Sequence, residues 1–334
     1  MALSWGVVWT GFAADRLMGP GIDADPESEI VAVVSRDGGR AREFAEKHGA
    51  RRSYTRYEDL LADPEVDVVY IATPNALHAQ QAIAAAEAGK HVLCDKPIAT
   101  DPEEAVRVVE AARAHGVKLG TNFQTRHFAP VEEINRVLQA GEIGDLLVVQ
   151  AESSSGASPL KGWRTDAGLA GMGTVNNIGV HPLDLIRYLV GSEVSEVAAM
   201  TDAGHREELE TLALVLLRFD SGVLAYVNAN QKVPFFQPDI ELYGTSGTIL
   251  GRNCTRPGFD SQVIVRTAEG ERTTESNTRD GFHRAVAAFN RALLEDREPN
   301  ASGEDGLRSV EVVEAIRKSA RSGGIVQVES RALV

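Results

Sequence analysis

The sequence predicts an α/β protein in which a doubly wound parallel-sheet domain precedes a C-terminal α/β domain with a large, mostly antiparallel open sheet. Three observations predict it. Short apolar runs alternate with helical patterns through the first third of the chain, as in a parallel sheet covered on both faces. Beyond about residue 122 the rhythm changes to closely spaced alternating β patterns. The 334 residues also exceed what a single core usually serves.

Trp5 to Trp9 reads as the first strand, and Phe12 to Met18 opens a helix that Gly19-Pro20-Gly21 should kink or stop, since proline clashes with the preceding turn. Ile30 to Ser35 is a second strand. Gly39 to His48 has apolar residues at helical spacing, closed by Gly49. Val66 to Ala72, apolar and valine-rich, suits a buried central strand. Asn75 to Ala88 is an alanine-rich helix ended by Gly89, and His91 to Cys94 another strand. Pro102 to His115 is a helix capped by Thr100 or Asp101 and stopped by Gly116; Val117 to Asn122 adds a last strand. In the second part, helices over Pro130 to Ala140 and Pro182 to Val190 bracket a glycine-rich segment from Gly156 to Gly179. Strands are expected at Leu146 to Glu152, Val194 to Thr201, Thr211 to Phe219, Val223 to Gln231, Asp239 to Gly244, Gly247 to Gly251 and Gln262 to Thr267. Asp220-Ser221-Gly222 and Thr245-Ser246-Gly247 fit hairpin turns, and Gly281 to Glu295 and Gly306 to Ser322 read as two further helices.

Composition narrows the function classes. A formal charge of -14 argues against broad contact with nucleic acid phosphates. The two cysteines, Cys94 and Cys254, are far apart and lack a ligand neighbourhood, so neither disulfide nor metal is expected. No secretory signal pattern opens the chain and no run approaches a membrane span, which predicts a soluble cytoplasmic protein.

The chemistry gathers at the ends of the predicted parallel strands. Trp9-Thr10-Gly11-Phe12-Ala13-Ala14 stands where a dinucleotide fold places a tight turn and a helix N-terminus. Against G-x-G-x-x-G/A it keeps Gly11 and Ala14 but has Trp9 for the first glycine, and by itself it reads equally well as an ordinary strand-to-helix turn. Further on, the second strand ends Ser35-Arg36, where a hydroxyl and a guanidinium, joined by Arg40, suit a 2′-phosphate. NADP(H) is therefore the expected cofactor, and the nearby Asp37 leaves NAD(H) open. The third strand ends Ala72-Thr73-Pro74-Asn75, with His78 one turn into the helix, at the edge where open α/β sheets bind ligands.

Asp95-Lys96-Pro97 closes the apolar run His91-Val92-Leu93-Cys94 and presents Lys96 at the same edge. Desolvation and the positive charge of an oxidised nicotinamide would push its pKa down and prepare it to exchange a proton with a carbonyl oxygen. A second cluster, Asn177-Ile178-Gly179-Val180-His181-Pro182-Leu183-Asp184, runs from a glycine-rich loop into a helix. Pro182 fits the first turn, and Asp184 can face His181 across it. The pair reads either as a helix cap or as a proton relay serving Lys96.

The stretches Gly89-Lys90-His91-Val92-Leu93-Cys94-Asp95-Lys96-Pro97, Gly120-Thr121-Asn122, Gly162-Trp163-Arg164, Gly251-Arg252-Asn253 and Gly303-Glu304-Asp305-Gly306 give a resemblance. The chain resembles the glucose-fructose oxidoreductase, inositol dehydrogenase and MocA family over nearly its full length. The likeness implies a Rossmann NAD(P)-binding domain over residues 1–122 and an α/β substrate-binding and oligomerisation domain over residues 123–334. It implies that Lys96 and His181 match the catalytic lysine and histidine, with Asn122, Trp163 and Arg164 along the cofactor and Arg126 near the substrate. Lys161, Phe123, Phe235 and Phe236 are further pocket or interface candidates. Three positions depart from the family: Trp9 replaces a small residue, Asp95 the usual glutamate, and Asn177 an aspartate found in many relatives. An amide cannot carry a proton as a carboxylate does, so Asn177 is expected to orient rather than titrate. The resulting expectation is hydride transfer between a nicotinamide and a sugar, keto sugar or polyol in a homo-oligomer built through the C-terminal sheet. A cofactor-binding regulatory homologue without turnover, or a redox-neutral sugar-modifying enzyme with tightly held NAD, are the alternatives.

Overall fold

The computed structural model describes residues 2–204 and 209–333, and the chain divides into two compact units. The first comprises residues 2–122, 282–310 and 331–333; the second comprises 123–281 and 311–330.

The first unit is built on six parallel strands: β1 (Leu3–Val8), β2 (Ser28–Val34), β3 (Arg52–Tyr54), β4 (Val68–Ile71), β5 (His91–Cys94) and β6 (Leu119–Thr121). Their order is β3-β2-β1-β4-β5-β6, so the winding reverses between β1 and β4. Side chains alternate across the pleat into two cores. On one face Trp5, Val7, Val33, Val68 and Tyr70 pack with Ala14, Met18, Phe44, Val286 and Phe289. On the other, Val8, Val34, Val69, Ile71 and Cys94 meet Leu60, Ala79, Ala82, Val108, Leu307 and Val310.

The helices of this unit are α1 (Gly19–Asp23), α2 (Gly38–His48), α3 (Tyr57–Leu61), α4 (His78–Glu87) and α5 (Pro102–Ala114). Of the kink or stop expected at Gly19-Pro20-Gly21, the structure shows no stop but a change of helix type there. A π-helical turn, Ala13–Met18, passes at Gly19 into α1, with Pro20 near its start. Asp37 caps α2 by accepting from the Gly39 and Arg40 amides at 2.8 and 3.2 Å, and Gly49 ends it in the left-handed conformation (φ 71°). Of the two caps weighed for α5, Asp101 is the one used, accepting from Glu103 and Glu104. The short β3 and α3 carry no clear periodicity and escape sequence reading.

The second unit holds α6 (Ala129–Gln139), α7 (Ala167–Ala170) and α8 (Val180–Val190), with strands β7 (Leu146–Ser154), β8 (Val194–Thr201), β9 (Leu212–Phe219), β10 (Leu224–Asn230), β11 (Ile240–Gly244), β12 (Gly247–Arg252), β13 (Asp260–Thr267) and β14 (Gly270–Asn277). With β15 (Val326–Gln327) they form a nine-stranded sheet in the order β14-β13-β12-β11-β7-β10-β9-β8-β15, antiparallel except for the β7–β10 pair. Polar β14 and two-residue β15 are also missed by pattern reading. Val149, Ala151, Val215, Leu217, Val227 and Leu242 form the inner face with side chains of α6 and α8.

Two helices remain, α9 (Gly281–Leu294) and α10 (Gly303–Ser322). Although they follow the second sheet in sequence, α9 packs with the first unit, where Phe289 meets Trp5 at 5.9 Å between ring centroids. The edge of β6 is also covered, since Thr121 donates its amide to the Ala301 carbonyl at 2.8 Å. Among the described residues no helix is long and apolar enough to cross a membrane.

Candidate active site

In the first unit the carboxyl ends of β1, β2, β4, β5 and β6 carry most of the residues singled out by sequence. Trp9 follows β1 with φ 83°, and its amide donates to the Val34 carbonyl at 2.9 Å, tying the ends of β1 and β2. Thr10 Oγ1 lies 3.5 Å from Ser35 Oγ. Arg36 is exposed, with its guanidinium carbon 5.3 Å from the Trp9 ring centroid. Phe12 is 70% exposed, Ala13 opens the π-helical turn, and Arg40 sits exposed in the first turn of α2. Asp37, the acid that left NAD open, is occupied as a helix cap, and the Arg40 and Gly39 amides hold its carboxyl below the usual range.

After β4, Thr73 donates its hydroxyl to Gln81 at 2.6 Å, and Pro74 and Asn75 lead through a short 3-10 turn to α4. His78 is 1% exposed and sets its ring between two main-chain carbonyls, Nδ1 at 2.7 Å from Pro97 and Nε2 at 2.8 Å from Thr73. Burial pushes the imidazole toward its neutral form, and the Asp95 carboxylate opposes that. A neutral ring donates from one nitrogen only and would aim a lone pair at the other carbonyl. The two carbonyls favour the doubly protonated ring, but burial is the larger influence and holds the pKa below its ordinary value. Either way His78 ties the end of β4 to the turn that bears Lys96, a task the sequence reading did not give it.

That turn follows β5. The Lys96–Pro97 peptide is cis, and Lys96 is half-buried. Asp95 Oδ1 accepts from the amide of Lys96 at 3.0 Å and from Asn122 Nδ2 at 3.4 Å, while the Asn122 amide donates to the Cys94 carbonyl at 2.8 Å. Asp95, Lys96 and Asn122 thus form one local arrangement at the ends of adjacent strands β5 and β6. Beneath it, Tyr70 is fully buried, which drives its phenol far above the ordinary range and keeps it neutral.

The second unit brings together the other candidates. The expected glycine-rich loop is largely helical turns: a 3-10 turn at Gly162–Thr165, α7, and a π-helical turn at Val175–Gly179 that continues into α8. Asn177 lies on the π-helical turn, and His181 in the first turn of α8, both half-buried. Arg164 stacks its guanidinium over Trp163 at 4.3 Å and donates Nε to Asn177 Oδ1 at 3.0 Å. Asn177 thereby presents a fixed amide orientation, with its oxygen turned to Arg164.

Asp184, three residues beyond His181, is bonded to an arginine. It is fully buried, and its carboxylate accepts from Arg126 Nε at 2.8 Å and Nη2 at 2.5 Å. Arg126, 3% exposed, also lies over the rings of Phe123 at 5.7 Å and Tyr188 at 5.0 Å. Lys161 is exposed just before the 3-10 turn; Phe235 is 92% exposed, and Phe236 packs edge-on to Phe259.

Glu210 was missed by sequence reasoning. Its carboxylate accepts from the Gly173 and Val175 amides at 3.0 and 2.9 Å, and its carbonyl accepts from Thr174 at 2.9 Å. Burial raises its pKa against those donors. It clamps the backbone that leads into Asn177 and His181, from 37 residues away in sequence, a separation at which no spacing rule operates.

A dinucleotide fits the first unit on this chain's own features. The strand order reverses between β1 and β4, the turn after β1 leads into a helical stretch, and Ser35 and Arg36 stand at the neighbouring strand end. Comparison with known proteins agrees. Residues 3–123 match the oxidoreductase family with an NAD-binding Rossmann fold, and residues 131–250 match the GFO/IDH/MocA C-terminal domain. The chain is 34% identical over 305 residues to 1,5-anhydro-D-fructose reductase of Ensifer adhaerens, covering 90% of this chain and 92% of that one. Levoglucosan dehydrogenase, solved with NADH and levoglucosan, superposes with a TM-score of 0.89 at 26% identity, covering 99% of this chain and 100% of that one. A 3-ketoreductase from Actinomadura kijaniata, solved with NADP and TDP-benzene, superposes with a TM-score of 0.84 at 27% identity, covering 96% and 98%. Taken with the strand order and the turns just described, these matches make the chain an NAD(P)-dependent oxidoreductase of the GFO/IDH/MocA family.

Proposed function

We propose that the protein is an NADP(H)-linked oxidoreductase that interconverts a carbonyl and a hydroxyl on a sugar, keto sugar or polyol. The observation that carries the reading is the Asp95-Lys96-Pro97 turn, which β5 delivers to the carboxyl edge of the sheet and which Asp95, Asn122 and His78 hold in place. A half-buried lysine on a turn held at that edge suits proton or hydrogen-bond donation to a carbonyl oxygen. The relatives named above act on such compounds or were solved with them.

The nicotinamide, when bound, supplies or accepts the hydride. Lys96 donates to the substrate oxygen in the reducing direction, and His181 assists the proton's passage. Asn177, its oxygen taken by Arg164, orients rather than titrates. The Arg126–Asp184 pair acts as a brace for α8 rather than as a substrate ligand, because both groups are already occupied. For the cofactor, Ser35 and Arg36 favour the 2′-phosphate, and the alternative acid, Asp37, is committed to capping α2. Homo-oligomers form through the outer face of the second sheet, where Met200, Leu216 and Leu224 are 77, 58 and 44% exposed.

Replacing Lys96 with alanine tests the central assignment. Turnover at saturating NADPH should fall by about 100- to 10,000-fold, the usual worth of a positioned acid or base. NADPH affinity should stay nearly unchanged. Undiminished turnover in Lys96→Ala refutes the role.

A further inference from the structure

We infer that Trp9 is a specificity-determining residue for the dinucleotide: its indole holds the Arg36 guanidinium at the end of β2 and so weights the site toward the 2′-phosphorylated cofactor. The inference rests on the cofactor reading above and assigns a role to the residue that breaks the glycine fingerprint. A tryptophan with φ 83° is a backbone outlier, a conformation that bulky residues hold only when their surroundings impose it. Here the surroundings are specific. The amide of Trp9 is fixed to Val34, at the end of the strand that continues into Ser35 and Arg36.

From that backbone the indole folds back across Gly11. A Cβ on residue 11 would lie 2.6 Å from the indole Nε1 and 2.7 Å from Cδ1, so Gly11 admits the ring and alanine would not. The Arg36 guanidinium then layers over the ring at 5.3 Å, and Thr10 and Ser35 approach at 3.5 Å between hydroxyl oxygens. Trp9, Gly11 and Arg36 therefore act as one arrangement. A flexible, exposed arginine would lose rotamer freedom on binding a phosphate, whereas one already stacked on an aromatic plane loses less. Arg36 itself is exposed, so its guanidinium can offer paired hydrogen bonds to phosphate oxygens, while Ser35 is buried beside it in sequence.

The rival role for the indole is obstruction, since it occupies space over the turn that a pyrophosphate approaches. The two roles predict different binding, measurable without turnover. Dissociation constants for NADP+ and NAD+ are determined by titration calorimetry for the native chain, Trp9→Gly, Trp9→Phe, Arg36→Ala and the Trp9→Gly/Arg36→Ala double variant. Thermal melting checks that each is folded, and glycine accepts φ 83° without strain. Trp9→Gly should weaken NADP+ relative to NAD+ by about two- to fivefold, the worth of an exposed cation–π contact. Trp9→Phe should retain more of the preference, and Trp9→Gly should add nothing once Arg36 is alanine. Equal change in both affinities, or the same Trp9→Gly effect with and without Arg36, overturns the inference. An unchanged NADP+ to NAD+ ratio in Arg36→Ala instead overturns the cofactor reading itself.

Discussion

Arg126 and Asp184 illustrate what burial does to a charged side chain. With 3% and 0% of their side chains exposed, neither has water to turn to, and the two parallel hydrogen bonds between them compensate both. Removing one partner leaves the other charge buried. Asp184→Ala should therefore destabilise the protein by about 3–5 kcal/mol, read as a lowered midpoint of chemical denaturation. A loss under about 1 kcal/mol would show that the arginine finds water or another carboxylate. Asp184 is visible in the sequence as a member of the second cluster and Arg126 through the family resemblance, but their mutual pairing is not. The spacing of Asp184 and His181 suggests a local pair, whereas the carboxylate bonds Arg126 across 58 residues. Similarly, His78 looks like a helix-face residue until the carbonyls of Thr73 and Pro97 appear on either side of its ring.

At the scale of elements, the residues flanking the end of β8 and the start of β9 show side chains substituting for regular pairing. Asp202, just after β8, accepts from the Thr211 and Leu212 amides at 2.8 and 3.0 Å, from the Thr211 hydroxyl at 2.7 Å, and pairs with Lys232 at 2.7 Å. Partial burial opposes the charged form, but Lys232 and the Thr211 and Leu212 donors prevail and hold the carboxyl well below its ordinary range. A depressed folded-state pKa means that the stabilisation is complete above the unfolded value of about 3.9 and is lost as pH falls through the folded one. Asp202→Asn should lower stability by about 1 kcal/mol at pH 7 after solvent screening, and the gap from the native chain should close on acidification below about pH 4. Denaturation midpoints measured from pH 7 to pH 2 test this; a gap constant with pH would locate the effect in geometry rather than charge. The ordered strand start that results also carries Glu210, whose carboxylate fixes Gly173 and Val175 ahead of Asn177. Elements with strong periodicity, such as β4, α5 and α9, are legible in sequence. The π-helical turns, β3 and β15 are not, because their geometry is imposed by neighbours.

For the whole molecule, the second sheet has one face in the core and one in solvent. On the outer face Met200 stands opposite Leu214, Ala198 opposite Leu216, and Leu216 opposite Tyr226. An apolar row of this kind is what a two-fold interface buries, each copy offering the same patch. Leu216→Glu combined with Met200→Glu should convert the proposed oligomer to monomer in sedimentation velocity while leaving the monomer folded, since both side chains already point to solvent. A native chain that sediments as a monomer at micromolar concentration counts against the interface.

The amino-acid order alone determined the alternation that makes a parallel sheet followed by an antiparallel one, the lysine at the end of β5, and the missing first glycine at Trp9. Those features are local, and hydrophobic period and strand-end position suffice to reveal them. Only the tertiary structure decided that α9 returns to the first unit, that Asp184 belongs to Arg126, that Glu210 clamps the backbone ahead of Asn177, and that the Trp9 indole carries Arg36. Each joins groups distant in the chain, and such contacts are selected by the packing and polar satisfaction of the folded interior, on which neighbouring residues in sequence carry no information.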